Sequence, residues 1–226
     1  MNLKKLTLCS LATGATFFAA LAPSAVMAAN IVPTSYSMPN GDGKAHNGSY
    51  NYWDANYSGS GSTNIDGAAL SGGLGKLTDG IVSTSFWQIV SNNAGTGEYV
   101  GWLSSNTLNP VITFNFSGSP LIDSISIQMD NSQYGGVFAP AAIWIDGVNK
   151  SFTAPTPGSV GSVSFTGLNL SGNSHTIEFQ QQTGTWTFVS EISFAGAVPE
   201  PETYVMLLAG LGLLGSVARR RKLKVS

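Results

Sequence analysis

From about residue 76 onward, apolar and polar side chains alternate in short runs separated by turn formers. Ile112, Phe114 and Phe116 alternate with polar residues until Gly118-Ser119-Pro120 ends the run; Ile125, Ile127 and Met129 form the next, and Ile143 with Ile145 the one after. A period of two places successive side chains on opposite faces of a strand, so each run predicts a strand with one buried face. Asp146-Gly147 follows Ile145 directly, a strong two-residue hairpin signal leading toward Phe152. Val163 with Phe165, Ile177 with Phe179, and Phe188 with Ile192 and Phe194 complete the series. No stretch between residues 29 and 197 sustains a helical period, so the pattern predicts an all-β sandwich.

Residues 39 to 75 read differently. They are dense in Gly, Ser and Asn, with aromatics spaced through Tyr50-Asn51-Tyr52-Trp53-Asp54-Ala55-Asn56-Tyr57. Without strand or helix periodicity, so many turn formers predict a long ordered loop or short irregular strands. The aromatics argue against a free linker, and pinning a loop to its domain is the commoner role for such rings than stacking on a sugar.

The two ends carry their own patterns. Lys4 and Lys5 precede an apolar stretch from Leu6 to Leu21, and Val26-Met27-Ala28 offers small residues before a cut, which predicts a secretory signal cleaved by signal peptidase after Ala28. Cys9 leaves with it; bulky Leu8 before it and an apolar core that mostly follows it argue against lipidation. At the other end, Val198-Pro199-Glu200-Pro201 is followed by an apolar run from Tyr204 to Ala218 and the basic group Arg219, Arg220, Arg221 and Lys222. The run would measure roughly 22 Å as a helix against a hydrocarbon core of about 30 Å, short for a permanent span and sufficient for a transient one. Pro199 and Pro201 hold the preceding chain extended, the form that proteases and transpeptidases grip. Gly210, Gly212 and Gly215 fit G-x-G-x-x-G, but no strand precedes them, which excludes a dinucleotide site. Basic flanks at both ends place the two termini in the cytoplasm and everything between outside it.

This tripartite C-terminus resembles the PEP-CTERM sorting signal of Gram-negative bacteria. The resemblance implies recognition of the Pro-Glu-Pro block by an integral-membrane exosortase, passage through the inner membrane, and release or display at the cell surface. The chain thus divides into residues 1–28 as signal peptide, 29–75 as a Gly/Ser/Asn-rich part, 76–197 as the sandwich, and 198–226 as the sorting signal.

Removing both ends changes the charge. Seven of the ten basic residues lie in the two signals, leaving Lys44, Lys76 and Lys150 against ten acidic residues, a net charge of -7 with no arginine. Phosphate binding needs a basic surface, so no nucleic-acid partner is expected. The exported body has no cysteine and must be stable without disulfides.

Within that body, Leu77-Thr78-Asp79-Gly80, then Thr84 and Trp87, then Glu191 in Val189-Ser190-Glu191-Ile192-Ser193-Phe194, resemble the galactose-binding-like jelly roll shared by discoidin domains, coagulation-factor type C domains and many bacterial carbohydrate-binding modules. The resemblance implies one structural Ca2+ held by Asp79, Thr84 and Glu191. Oxygen ligands from two carboxylates and a loop suit that ion, while a metal-free Asp-Gly turn and a solvated glutamate remain the alternative. It also implies glycan binding, for which Trp102, Tyr134 and Trp186 supply aromatic faces beside polar neighbours; core is the alternative for each ring, and the commoner fate of Trp in a small sandwich. Burial of these rings together with Phe138 would favour a structural surface protein without ligand.

Catalysis finds little support. His46 and His175 are the only histidines, and neither has a recognisable triad or zinc partner in the sequence, so both read as surface residues. The sequence therefore predicts a non-enzymatic, exosortase-processed surface protein whose jelly roll associates with glycan or exopolysaccharide. A ligand-free structural surface protein is the alternative, and a glycan-active enzyme a more distant one.

Overall fold

The computed structural model describes residues 28–43, 48–197, 210–212 and 214. Residues 27–199 form one compact unit, and residues 1–26 with 200–226 belong to another. In that second unit the described residues, Gly210, Leu211, Gly212 and Leu214, are helical. Among the described residues no helix is long and apolar enough to cross a membrane. Apart from Ala28 and these four residues, the expected signal peptide and sorting signal lie outside the described residues, as does His46.

Two antiparallel sheets build the main unit. In the first, β12 (Trp186–Gly196) and β6 (Leu121–Asn131) pair at the centre. Strands β1 (Asn30–Ile31) and β4 (Val100–Leu103) lie on the far side of β12, and β9 (Ser159–Phe165) and β10 (Leu170–Ser171) on the far side of β6. The second sheet runs β3 (Ala69–Gly73), β2 (Ser35–Pro39), β5 (Val111–Asn115), β11 (Ser174–Gln180), β7 (Ala142–Ile145), β8 (Val148–Lys150). The alternating positions meet between the sheets: Ile112, Phe114, Ile125, Ile127, Met129, Ile177 and Phe179 are fully buried there. Asp146 and Gly147 close the β7–β8 hairpin with φ of 49° and 73°, the left-handed pair that this turn demands.

The boundary drawn at residue 75 does not separate structural units. Strands β2 and β3 belong to the second sheet, and Tyr36 and Leu70 enter the common core. The loop between them is pinned as its aromatics suggest, with Tyr52 and Tyr57 buried. A buried polar knot holds it. Asp54 accepts from the Tyr36 hydroxyl and, at 3.1 Å, from the Lys76 backbone amide. Lys76, 1% exposed, donates its ammonium to the carbonyls of Trp53 (2.6 Å), Gly95 and Tyr99 (3.3 Å). Burial pulls Lys76 down to about 8 despite the opposing pull of Asp54.

One departure from simple alternation reshapes the last strand. Register shifts between Val189 and Glu191, the mark of a β-bulge, so the inward face passes from Val189 to Ile192 and Phe194. Phe188 therefore leaves the inter-sheet core expected for it. It joins Tyr52, Tyr99 and Val137 in a second cluster, with Tyr50, Trp87, Val90 and Trp186 around it. Gly101 pairs with Phe188 across the ladder, and a Cβ there would sit 2.2 Å from the Phe188 ring. Only glycine lets this ring lie flat on β4.

Candidate functional site

The segment after Lys76 runs over the first sheet and is held by the polar side chains beneath it. Glu191 Oε2 accepts from the Gly80 amide at 3.0 Å, Ser190 Oγ from the Ser83 amide at 3.2 Å, and Asp130 Oδ2 from the Trp87 amide at 2.8 Å, while Gln128 Nε2 donates to the Ser83 carbonyl at 2.5 Å. All four side chains belong to buried residues, which explains polar positions at the sheet centre: each satisfies a loop backbone group.

Asp79 and Glu191 are brought together by this arrangement. Both line a cavity of about 240 Å³ with Thr78, Gly80 and the β1 region. Burial, followed by repulsion from Asp79, pushes Glu191 up to about 7, against the Gly80 amide that lowers it. Asp79 is raised too, first by desolvation and then by Asp54, although the residue is exposed and its Oδ1 accepts from Ile81 at 2.8 Å. Two carboxylates that resist ionising side by side, with loop oxygens around them, fit a hard divalent cation in donor type. Thr84 does not join them: it is exposed and lies outside the cavity lining. Glu191, expected toward an edge or surface loop, is 8% exposed on a central strand under the 80–87 segment.

The three aromatics chosen as glycan contacts part company. Trp102 is fully buried, its Nε1 donating to the Pro39 carbonyl at 2.9 Å and its ring 6.1 Å from Phe179, so it is core and reaches no ligand. Trp186 is half-buried and packs edge-on to Tyr52 (5.2 Å) and Phe188 (5.5 Å). Tyr134 is 56% exposed, with its ring edge-on to Phe86 at 5.8 Å. The structure does not bring these three into one face.

A different concavity stands where the loops after β2 and before β5 meet. It measures about 550 Å³ and combines an apolar wall of Pro39, Leu108, Pro110 and Val111 with a polar wall of Asp42, Asp66, Asn106, Thr107 and Asn109. Asp42 is buried, its Oδ2 accepting from the Leu103 amide at 2.6 Å and its Oδ1 from Thr107 at 2.9 Å. Burial first, and Asp66 second among the raising influences, lift it to about 6. Asp66 is held through one oxygen, Oδ1, which accepts from Gly43 (2.8 Å) and Trp53 Nε1 (2.7 Å). Asn109 adopts φ of 49° and is clasped by Gln181 in two hydrogen bonds of 3.0 and 2.9 Å. Sequence reading passed over these residues because Asp and Asn in Gly-rich stretches are indistinguishable from turn formers.

His175, read as a surface residue without a partner, is 4% exposed and sits 2.7 Å from Asp146 Oδ2. Twenty-nine positions separate the pair, and the β7–β11 ladder closes that gap. Among the described residues its Nε2 is buried without a partner, so the pair clamps the hairpin turn and meets no nucleophile there. Among the described residues no group of three or more His, Cys, Asp or Glu could hold a metal ion.

No curated protein sequence matches the chain. Among solved structures, the Streptococcus pneumoniae β-galactosidase BgaA is 11% identical over 76% of this chain and 99% of that one, with a TM-score of 0.43. The CBM32 domain of AlyQ in complex with 4,5-unsaturated mannuronic acid is 13% identical over 63% and 93%, TM-score 0.35. The CBM32-1 and CBM32-2 domains of Clostridium perfringens ZmpB in complex with GalNAc are 14% identical over 73% and 40%, TM-score 0.36. The chain spans about a quarter of the SpGH29 chain (24%) and about a third of truncated AlyQ with its alginate lyase domain (34%). Residues 197–222 match the PEP-CTERM protein-sorting motif, the signal for exosortase processing and export to the surface or extracellular space. Since residues 33–196 match the discoidin domain-containing receptor 1/2, DS-like domain, and fold as the corresponding sandwich, the chain belongs to that discoidin-like family, with a PEP-CTERM sorting motif behind the domain.

Proposed function

We propose that the protein is a non-catalytic surface protein that associates with exopolysaccharide through the cleft between residues 39–42, 66–67 and 106–111. The observation that carries this reading is the two-sided lining of that cleft. A pyranose has an apolar face and a rim of hydroxyls, and the cleft sets prolines and aliphatics against carboxylate, amide and hydroxyl groups held in place by the backbone. Weak single-site binding, in the millimolar to micromolar range of about -4 to -8 kcal/mol, suits a protein that meets a repeating polymer many times. Retention of the mature protein on a column of the host's own exopolysaccharide tests this. Wild type is expected to be retarded and Asn109→Ala with Thr107→Val to elute sooner; equal elution of both with the void would leave a ligand-free structural role.

Asp79 and Glu191 would hold one structural Ca2+ in this account, tying the 76–84 loop to β12 without taking part in chemistry. Export would begin with signal peptidase cutting after Ala28. The C-terminal apolar segment would then hold an inner-membrane intermediate until exosortase acts at Val198-Pro199-Glu200-Pro201. Intact mass of the surface form checks this. A mass ending at Ser226 in exosortase-competent cells would point to a plain membrane anchor.

A further inference from the structure

We infer that the cleft selects glycans carrying protonated amino groups, such as de-N-acetylated hexosamine polymers, over acidic ones. The inference rests on the glycan reading of the cleft and goes on to the charge of the ligand. Its polar wall presents two carboxylates from separate loops, Asp42 and Asp66, close enough for Asp66 to help raise its neighbour. Asp66 uses only Oδ1 to hold Gly43 and Trp53, which leaves Oδ2 for a ligand. Among the described residues no cation lines the cleft. Among the described residues the lysines are Lys76 and Lys150, both directed elsewhere. Lys76 is buried and spends its ammonium on the carbonyls of Trp53, Gly95 and Tyr99. Lys150 stands on β8, at the edge of the second sheet opposite the β3–β2 edge that borders the cleft. The third lysine of the exported body, Lys44, lies outside the described residues. With a net charge of -7 over residues 29–197, a uronate or sulfated chain meets repulsion at long range and, among the described residues, no cationic partner at short range. An ammonium on the sugar relieves the repulsion between the two carboxylates and gains a charge-assisted hydrogen bond to Asp66.

The test is calorimetric titration of the full chain, in a detergent without a sugar headgroup, with three hexasaccharides: fully de-N-acetylated glucosamine, its N-acetylated counterpart, and an oligouronate. The expected order is binding of the first, at least about tenfold weaker binding of the second, and no binding of the third. Affinity for the first should fall as salt rises. Asp66→Asn should weaken it about tenfold, because the amide keeps an oxygen for Gly43 and Trp53 while losing the charge. Unchanged melting of Asp66→Asn confirms that the loop is intact. Equal or tighter binding of the N-acetylated or acidic oligosaccharide overturns the charge selection and leaves the glycan reading standing. Binding of none of the three by folded protein overturns both.

Discussion

Calcium should stabilise this protein at neutral pH and hardly at all in mild acid, because the two carboxylates that would hold the ion resist ionisation. Glu191 is raised from 4.5 to about 7 in the folded state. A raised carboxyl binds its proton more tightly folded than unfolded, so the associated stability is complete below about pH 4.5 and is lost as pH climbs through 7. The full shift corresponds to roughly 3.5 kcal/mol at about 1.4 kcal/mol per pH unit; solvent screening of this only partly desolvated carboxyl reduces this to about 1.5–2 kcal/mol. Calcium needs both carboxylates charged. At about pH 7.5 and about 100 times its dissociation constant, the ion adds about 2.7 kcal/mol, a rise in Tm of several degrees for a domain of this size. At about pH 5, some two units below the Glu191 value, apparent affinity drops about a hundredfold and the same calcium adds well under 1 kcal/mol. The assay is thermal melting in calcium and in chelator at both pH values, for wild type and Glu191→Gln. The variant keeps an acceptor for Gly80, should lose the calcium response, and should lose the part of the pH dependence owed to this residue. Asp42, also raised, persists in both proteins and cancels in the comparison. A calcium effect of the same size at both pH values, or none at neutral pH, would refute the reasoning.

Three further substitutions probe the frame. Lys76→Met should lower stability by about 3–5 kcal/mol in chemical denaturation, since it removes the cation that favours ionised Asp54 and leaves three buried carbonyls without a donor, while Asp54 keeps its bonds from Tyr36 and the backbone amide of residue 76. Trp102→Ala should cost about 3–5 kcal/mol by leaving a cavity between the sheets, while protein that remains folded keeps its retention on exopolysaccharide. His175→Phe should change stability by about 1 kcal/mol or less, because it removes the orphaned Nε2 along with the bond to Asp146, which keeps its 2.7 Å bond from the Thr176 amide; a loss above about 3 kcal/mol would contradict that reading.

The sandwich was legible because its strands alternate strictly where one face is buried, as in Ile112–Phe116, Ile125–Met129 and Ile177–Phe179, and because Asp146-Gly147 names its own turn. The family resemblance reached Asp79 and Glu191, which do share a cavity. Thr84 failed because the loop is fastened one residue earlier, through Ser83 to Ser190 and Gln128. The bulge at Val189–Glu191 could not be seen in a string of alternating residues, so Phe188 was assigned to the wrong face. Trp102, offered as a glycan contact, is core, and Gly101 beside it is there to admit the Phe188 ring on the opposite face of β4. The cleft was invisible for a plainer reason: Asp42, Asp66 and Asn109 come from segments far apart in the chain, and only the closure of β2 against β5 assembles them. Lys76 gave no signal at all, since its three carbonyl partners lie 19 to 23 positions away.

The central claim is that glycan binds in the cleft at the β2–β5 end and not on the aromatics of the second cluster. Heteronuclear NMR of the isotope-labelled mature protein, titrated with fragments of the host exopolysaccharide, tests it most directly. The account predicts that amide shifts concentrate at Asp66, Gly67 and Asn106–Asn109, with Tyr134, Trp87 and Trp186 unmoved. Shifts centred on Tyr134 and Trp186 instead, or none at saturating fragment, would contradict it.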